Sequence, residues 1–185
     1  MIRLGERHDG EGRIVRGVRH IRGAGTSPAI LAMDSASAAG SLYYVQHAYA
    51  DVAITSAQVK ALVATPQVLV AAPGAGYFLE FCGAQIMLDY GGSNAFTEAS
   101  VTWLIRYTGT SGAALSQAIE MTGFITGTAD TYTTALPKID AIVAATAQAN
   151  QALVLDGETA EVAGNAAGDN VVRVRVFYKI HQALA

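Results

Sequence analysis

The sequence predicts an all-β domain of the sandwich or jelly-roll kind, with one or two short helices and an extended N-terminal arm. Three observations carry that prediction. The first is the segment 171–181, in which Val172, Val174, Val176, Tyr178 and Ile180 recur at period two while Arg173, Arg175, Lys179 and His181 take the alternate positions, the pattern of a half-buried strand with one apolar and one basic face. The second is the spacing of turn signals, which cut the chain from residue 42 onward into many short apolar runs. The third is composition: residues 1–23 hold six of the twelve basic residues, are broken by five glycines and show no sustained apolar period.

The chain therefore divides into an arm and linker over 1–41 and a β domain over 42–185. Within the arm, Arg3, Arg7, Arg13, Arg16, Arg19 and Arg22 stand against Glu6, Asp9 and Glu11, a balance of +3 that leaves −6 on the remainder of a chain whose net charge is −3. Residues 24–41 are small and polar enough for a linker, with Ile30-Leu31-Ala32-Met33 as a docking patch inside it. Such an arm suits an acidic protein surface. Nucleic acid is the rival partner, since arginines neutralise phosphates, but the interspersed carboxylates and the lack of any aromatic residue for base stacking in the arm disfavour it.

Along the body, strands are expected over 43–49, 52–55, 67–72, 77–89, 101–108, 114–121, 123–126, 152–156 and 171–181. Turns are expected at Pro73-Gly74-Ala75-Gly76, at Tyr90-Gly91-Gly92-Ser93-Asn94, at Gly109-Thr110-Ser111-Gly112, at Asp156-Gly157 and at Gly164-Asn165. A helix over 56–63 starts from Ser56 as N-cap, and a second lies around 129–134 with Thr128 or Asp130 near its cap. Residues 139–149 fit either a helix, through their alanines, or an edge strand, through the alternation of Ile139, Ala141 and Val143.

The composition also narrows function. Hydrophobic residues make up 51% of the chain and charged residues only 15%, below the roughly 25% usual for soluble domains, so part of the surface is expected to be shared with other subunits. Cys82 is the only cysteine. An intrachain disulfide and a cysteine-based metal site are thereby excluded, and the surrounding Tyr77–Phe81 run suggests a buried structural thiol. No apolar run reaches the roughly 18 residues of a membrane span, and no secretory leader pattern is present, so a soluble protein without membrane contact is expected.

Candidate chemistry is sparse. His8, His20, His47 and His181 are too dispersed for metal-ligand spacing, and neither a Gly-x-Ser-x-Gly elbow nor a cysteine–histidine signature occurs. Ser93 and Ser111 lie in glycine turns, where hydroxyls serve the turn. Pro73-Gly74-Ala75-Gly76 has no lysine of the phosphate-loop type and no helix pattern after it. Leu88-Asp89-Tyr90-Gly91-Gly92 resembles loosely a segment of the trimeric dUTP-hydrolysing enzymes, but Met87 replaces its first aspartate. Trp103 and Tyr107 are candidates for a sugar platform, with core and subunit contact the stronger reading of all the aromatics. The chain is expected to have no catalytic residues, no cofactor and no metal.

A set of ordered segments carries a more specific expectation. Ile54-Thr55-Ser56-Ala57-Gln58-Val59-Lys60-Ala61-Leu62, Thr65-Pro66-Gln67-Val68-Leu69-Val70-Ala71-Ala72-Pro73-Gly74-Ala75-Gly76, Leu88-Asp89-Tyr90-Gly91, Ile105-Arg106-Tyr107, Glu120-Met121-Thr122-Gly123-Phe124-Ile125, Thr128-Ala129-Asp130-Thr131, Leu136-Pro137-Lys138-Ile139-Asp140, Asn150–Leu155 and Gly164–Asn170 together span roughly residues 52–181. In that order the body resembles virion structural proteins of tailed bacteriophages encoded near the head genes, of the head decoration or cement class. The resemblance implies a jelly roll with a tumour-necrosis-factor-like trimeric arrangement, the major capsid protein as partner, and a location on the capsid surface of the virion, with host cytoplasm during assembly. The arm and linker over 1–51 depart from the pattern. On this reading the six arm arginines are candidate capsid contacts, and Arg173, Arg175 and Lys179 are candidate trimer or capsid contacts. The alternative is a trimeric head-fibre or tail knob that binds a host receptor or glycan.

Overall fold

A computed structural model describes residues 7–8, 14–15, 46–97, 102–139, 143–158 and 160–182. The chain falls into two units, Met1–Tyr44 and Val45–Ala185. In the first, β1 (Arg7–His8) pairs antiparallel with β2 (Ile14–Val15), Arg7 opposite Val15 and His8 opposite Ile14. The expected linker and docking patch lie outside the described residues.

The second unit is mostly β, with two antiparallel four-stranded sheets arranged like a sandwich and two very short helices. Its elements are β3 (Gln46–Thr55), α1 (Ser56–Val59), β4 (Gln67–Val70), β5 (Tyr77–Asp89), β6 (Phe96–Thr97), β7 (Thr102–Tyr107), β8 (Ile119–Glu120), β9 (Thr131–Ala135), α2 (Ala145–Gln148), β10 (Leu153–Gly157), β11 (Ala163–Gly164) and β12 (Val171–Gln182). One sheet runs β3-β12-β5-β9, the other β4-β10-β7-β8, and β6 pairs with β11.

The alternation read in 171–181 places β12 at the centre of the first sheet. Val172, Val174 and Val176 are buried in the core while Arg173, Arg175 and Phe177 face out, and burying each valine stabilises the fold by ~1.5 to 3 kcal/mol. The neighbouring β5 shows what a bulge does to such a pattern. Leu79 and Phe81 are buried, then Ala84, Ile86 and Leu88, so the buried positions switch from odd to even. The switch falls where the β12 register jumps from Gly83 to Phe81, leaving Cys82 as the extra residue, and Gly83 takes φ 136°, a value side chains other than glycine rarely adopt. Trp103, Ile105, Tyr107, Leu153, Leu155 and Leu69 close the core from the second sheet.

Several expectations are corrected. The strands predicted over 43–49 and 52–55 are one strand, because Asp51, which breaks the apolar run, stands on the outward face and leaves the pairing with β12 uninterrupted. The helix after it is one turn, capped by Thr55 and not Ser56: the Gln58 amide donates to Thr55 Oγ1 and the Thr55 amide to Gln58 Oε1. Residues 123–126 form a turn and not a strand, with Gly123 at φ 76° and the Phe124 and Ile125 amides donating to the Met121 carbonyl. Thr131–Ala135 is a strand where a helix was expected; its β-branched and aromatic residues fit a pleated edge better than a helix. The run 114–121 reduces to isolated bridges at Ala114 and Ser116 plus β8. Within 139–149 the described part holds α2, without a side-chain cap.

Two loops that are far apart in sequence are tied by side-chain amides. Asn165 Nδ2 donates to the Asn94 carbonyl (2.6 Å) and to Asp169 Oδ1 (2.8 Å). Asn170 Nδ2 reaches the same carbonyl (2.9 Å), and the Gly91 amide donates to Asn170 Oδ1 (2.9 Å). Both asparagines are buried, so the clasp satisfies polar groups that would otherwise be costly. A Cβ on Gly91 would come within 2.6 Å of the Asp169 backbone oxygen, which explains the glycine.

Candidate interaction face

The sequence placed Arg173, Arg175 and Lys179 on one face of a strand, and the fold sets them on the outer face of the sheet β3-β12-β5-β9. Register decides their neighbours. Arg173 lies between Ala53 and Met87, Arg175 between Asp51 and Gln85, and Lys179 opposite Glu80. Arg173 donates through Nε (2.8 Å) and Nη2 (2.6 Å) to Asp89 Oδ2. Arg175 makes a two-pronged pair with Asp51, Nε to Oδ1 at 2.7 Å and Nη2 to Oδ2 at 2.8 Å, and its guanidinium lies 5.0 Å from the centre of the Tyr49 ring. Lys179 Nζ is 3.3 Å from Glu80 Oε1, and His181 Nε2 is 2.6 Å from Glu80 Oε2 while its ring stacks on Phe78.

The face expected to be basic is therefore charge-balanced: each of its three strand cations has a carboxylate partner. The partners are 84, 124 and 99 residues away along the chain, so the sequence pattern of β12 alone could not reveal them. The Arg175 hydrogen bonds hold the Asp51 carboxyl below the usual carboxylate range. Partial burial pushes Glu80 upward, but the bonds from His181 and Lys179 outweigh it and its carboxyl is lowered. Burial, helped by the nearby Glu80 charge, raises the Cys82 thiol, which sits half-buried at the bulge. A raised thiol holds less of the nucleophilic thiolate at neutral pH.

Between the ion pairs lies apolar surface. Tyr49, Phe177 and Tyr132 are exposed, Tyr132 by 69%, and an open groove of about 440 Å³ runs over Asp51, Ala53, Gln85, Met87, Tyr132, Arg173 and Arg175. Tyrosine, methionine and arginine are the side chains enriched at protein interfaces. The face can bind by stacking, apolar contact and bidentate hydrogen bonding. Sequence reasoning missed Tyr132, Met87, Asp51 and Asp89 as members of it, although their outward positions follow from alternation once the register is known.

The outer face of the second sheet differs. Leu104 and Arg106 of β7 and Val154 and Asp156 of β10 alternate with core residues and so point away from the core, yet Leu104, Val154 and Asp156 are buried. Arg106 Nε is 2.8 Å from Asp156 Oδ2, its Nη2 is 3.3 Å from Glu158 Oε1, and its Nη1 donates to the Gly112 carbonyl. Asp156 Oδ1 has no hydrogen-bond partner. Burial raises the Asp156 carboxyl above its ordinary value against the pull of Arg106, with Glu158 and Glu161 adding to the rise.

The remaining candidates fall into place around these faces. Asp89 is bound by Arg173. Trp103 and Tyr107 are buried in the core, and the Tyr107 hydroxyl donates to the Leu79 carbonyl, so they form no sugar platform. Burial pushes the Tyr107 hydroxyl up to about 12. Among the described residues no cluster of three histidine, cysteine, aspartate or glutamate side chains is placed to hold a metal ion, and no helix is long and apolar enough to cross a membrane. Of the arm arginines, Arg7 lies in β1, while Arg3, Arg13, Arg16, Arg19 and Arg22 lie outside the described residues. No protein-family model matches the chain, and no curated protein sequence matches it at significant similarity.

Proposed function

We propose that the protein is a decoration, or cement, protein of a tailed-phage capsid: a jelly-roll subunit that binds the outside of the head as a trimer and ties major capsid subunits together. The observation that carries the reading is the winding of the two sheets. Counting the eight sandwich strands β3, β4, β5, β7, β8, β9, β10 and β12 as one to eight, the sheets run 1-8-3-6 and 2-7-4-5, an interleaving that fits the double Greek key of a jelly roll. The ordered resemblance of residues 52–181 to phage head proteins points the same way.

Cementing requires contact area and multivalency, not a reacting group. Three subunits, each bringing an arm and an aromatic, charge-balanced face, convert weak contacts into avidity. The six arm arginines are the proposed anchors on acidic capsid surface, and Arg173, Arg175 and Lys179 contribute to trimer or capsid contact from within their ion pairs. The protein acts as a structural component of the virion and not as an enzyme.

The test is the molar ratio of this chain to the major capsid protein in purified particles. A simple ratio set by threefold positions is expected; a ratio of a few percent overturns the reading and favours the fibre or receptor-binding knob. Deleting residues 1–41 is expected to leave a folded trimer that no longer decorates heads, and normal decoration by the truncated chain would rule out the arm as anchor.

A further inference from the structure

The four edges of the two sheets are not alike. Three are guarded in the ways that sheet proteins use against edge-to-edge pairing. β8 has two residues; β4 has four, with a register irregularity against β10 and a proline on either side, Pro66 and Pro73; β9 has five and is followed by Pro137. The fourth edge, β3, has ten residues, pairs with β12 in an unbroken register and contains no proline, lysine or arginine. Among the described residues nothing pairs with its outer side. All three prolines of the second unit thus stand beside the other edges, and the longest edge is left regular.

We propose that the outer edge of β3 is a pairing site for the β3 strand of a second copy of this chain, antiparallel about a twofold axis. An antiparallel self-contact is isologous, so it needs only a patch that matches itself. β3 meets that requirement. Its free backbone groups alternate as donors and acceptors for any antiparallel strand. The charge at its centre, Asp51, is already held by Arg175 of the same copy, so two such edges approach without an unpaired like charge. The exposed ring of Tyr49, beside Phe177, supplies apolar cover at the contact. The pairing joins two four-stranded sheets into one of eight and sets the two outer faces side by side. It is independent of the cement reading: a twofold contact can link two subunits of any role, or two trimers.

The experiment is sedimentation of the full chain over a wide concentration range, with amide hydrogen exchange of residues 46–55 measured in parallel. The variants are Ala53→Lys, which places a second cation beside Arg173 of the same copy and so an uncompensated charge on the edge, and Tyr49→Lys. Both sites are exposed, and a charge on a strand edge opposes self-pairing. The expected result is that both variants sediment at about half the mass of the unchanged chain, with the β3 amides that point away from β12 exchanging slowly in the concentrated unchanged chain and quickly on dilution, while the alternate amides that face β12 stay protected throughout. Variants that keep the unchanged mass overturn the proposal, as do outward β3 amides that exchange freely at every concentration. Outward amides protected at every dilution also overturn it, because the edge is then covered from within one copy.

Discussion

The outer faces of the two sheets carry the same chemistry in different surroundings. Both present arginine–carboxylate pairs on strands next to apolar side chains. On the β3-β12-β5-β9 face the pairs stand in solvent, Arg173 being 57% exposed, whereas Asp156 on the other face is 2% exposed. An exposed pair contributes little because water already solvates both charges. A buried one contributes little as a whole too, but removing one member strands the other. The first arrangement leaves a surface free to change partners; the second locks a strand pair in register.

Breaking the buried pair gives the largest effect. Asp156→Ala is expected to lower unfolding free energy by about 3 to 5 kcal/mol by leaving Arg106 short of a partner, read from urea denaturation. Replacing both members with Arg106→Met and Asp156→Leu should recover most of that loss. A double variant as unstable as the single one would mean that the pair is not the source of the cost.

The pH dependence separates the faces by sign. Asp51 and Glu80 are lowered in the folded chain, so they contribute stability above the ordinary carboxylate range and lose it as pH falls through their folded values. Asp156 is raised, so its charge is a penalty at neutral pH that is relieved as pH falls through its folded value. Urea midpoints measured over about pH 3 to 7 should therefore show a shallower acid loss for Glu80→Gln and a steeper one for Asp156→Asn. The same direction in both variants would contradict the contrast.

The smallest effect belongs to the exposed face. Arg173→Ala should cost at most about 1 kcal/mol and less at high salt. If the proposed cement function holds, its larger consequence is in binding to capsids, measured by co-sedimentation with heads. A stability loss like that of Asp156→Ala would remove the distinction between the two faces.

Much of the fold was legible where one apolar period ran unbroken. The strand over 77–89 is found with the bounds expected, and 171–181 extends by one residue, because their side chains alternate under a single rule. Legibility failed where two signals competed. Asp130 and Thr128 suggested a cap, but Thr131, Tyr132 and Thr133 carried the strand preference that prevailed. Phe124 and Ile125 suggested a strand because they are apolar, yet a turn buries them as well. For the candidate face, β12 announced its cations and hid their partners: Asp51 and Asp89 reach Arg175 and Arg173 only through pairings that a single strand does not encode.

The position of β12 has a consequence in time. β3 and β5 do not pair with each other; each pairs with β12, which follows every other described strand. Until residues 171–182 emerge from the ribosome, the first sheet lacks its middle, and β3 waits through more than a hundred residues of synthesis for the strand it pairs with. The core between the sheets is completed only by this last, non-local pairing, the kind that contact order makes slow, and until then β3 stands without its own partner.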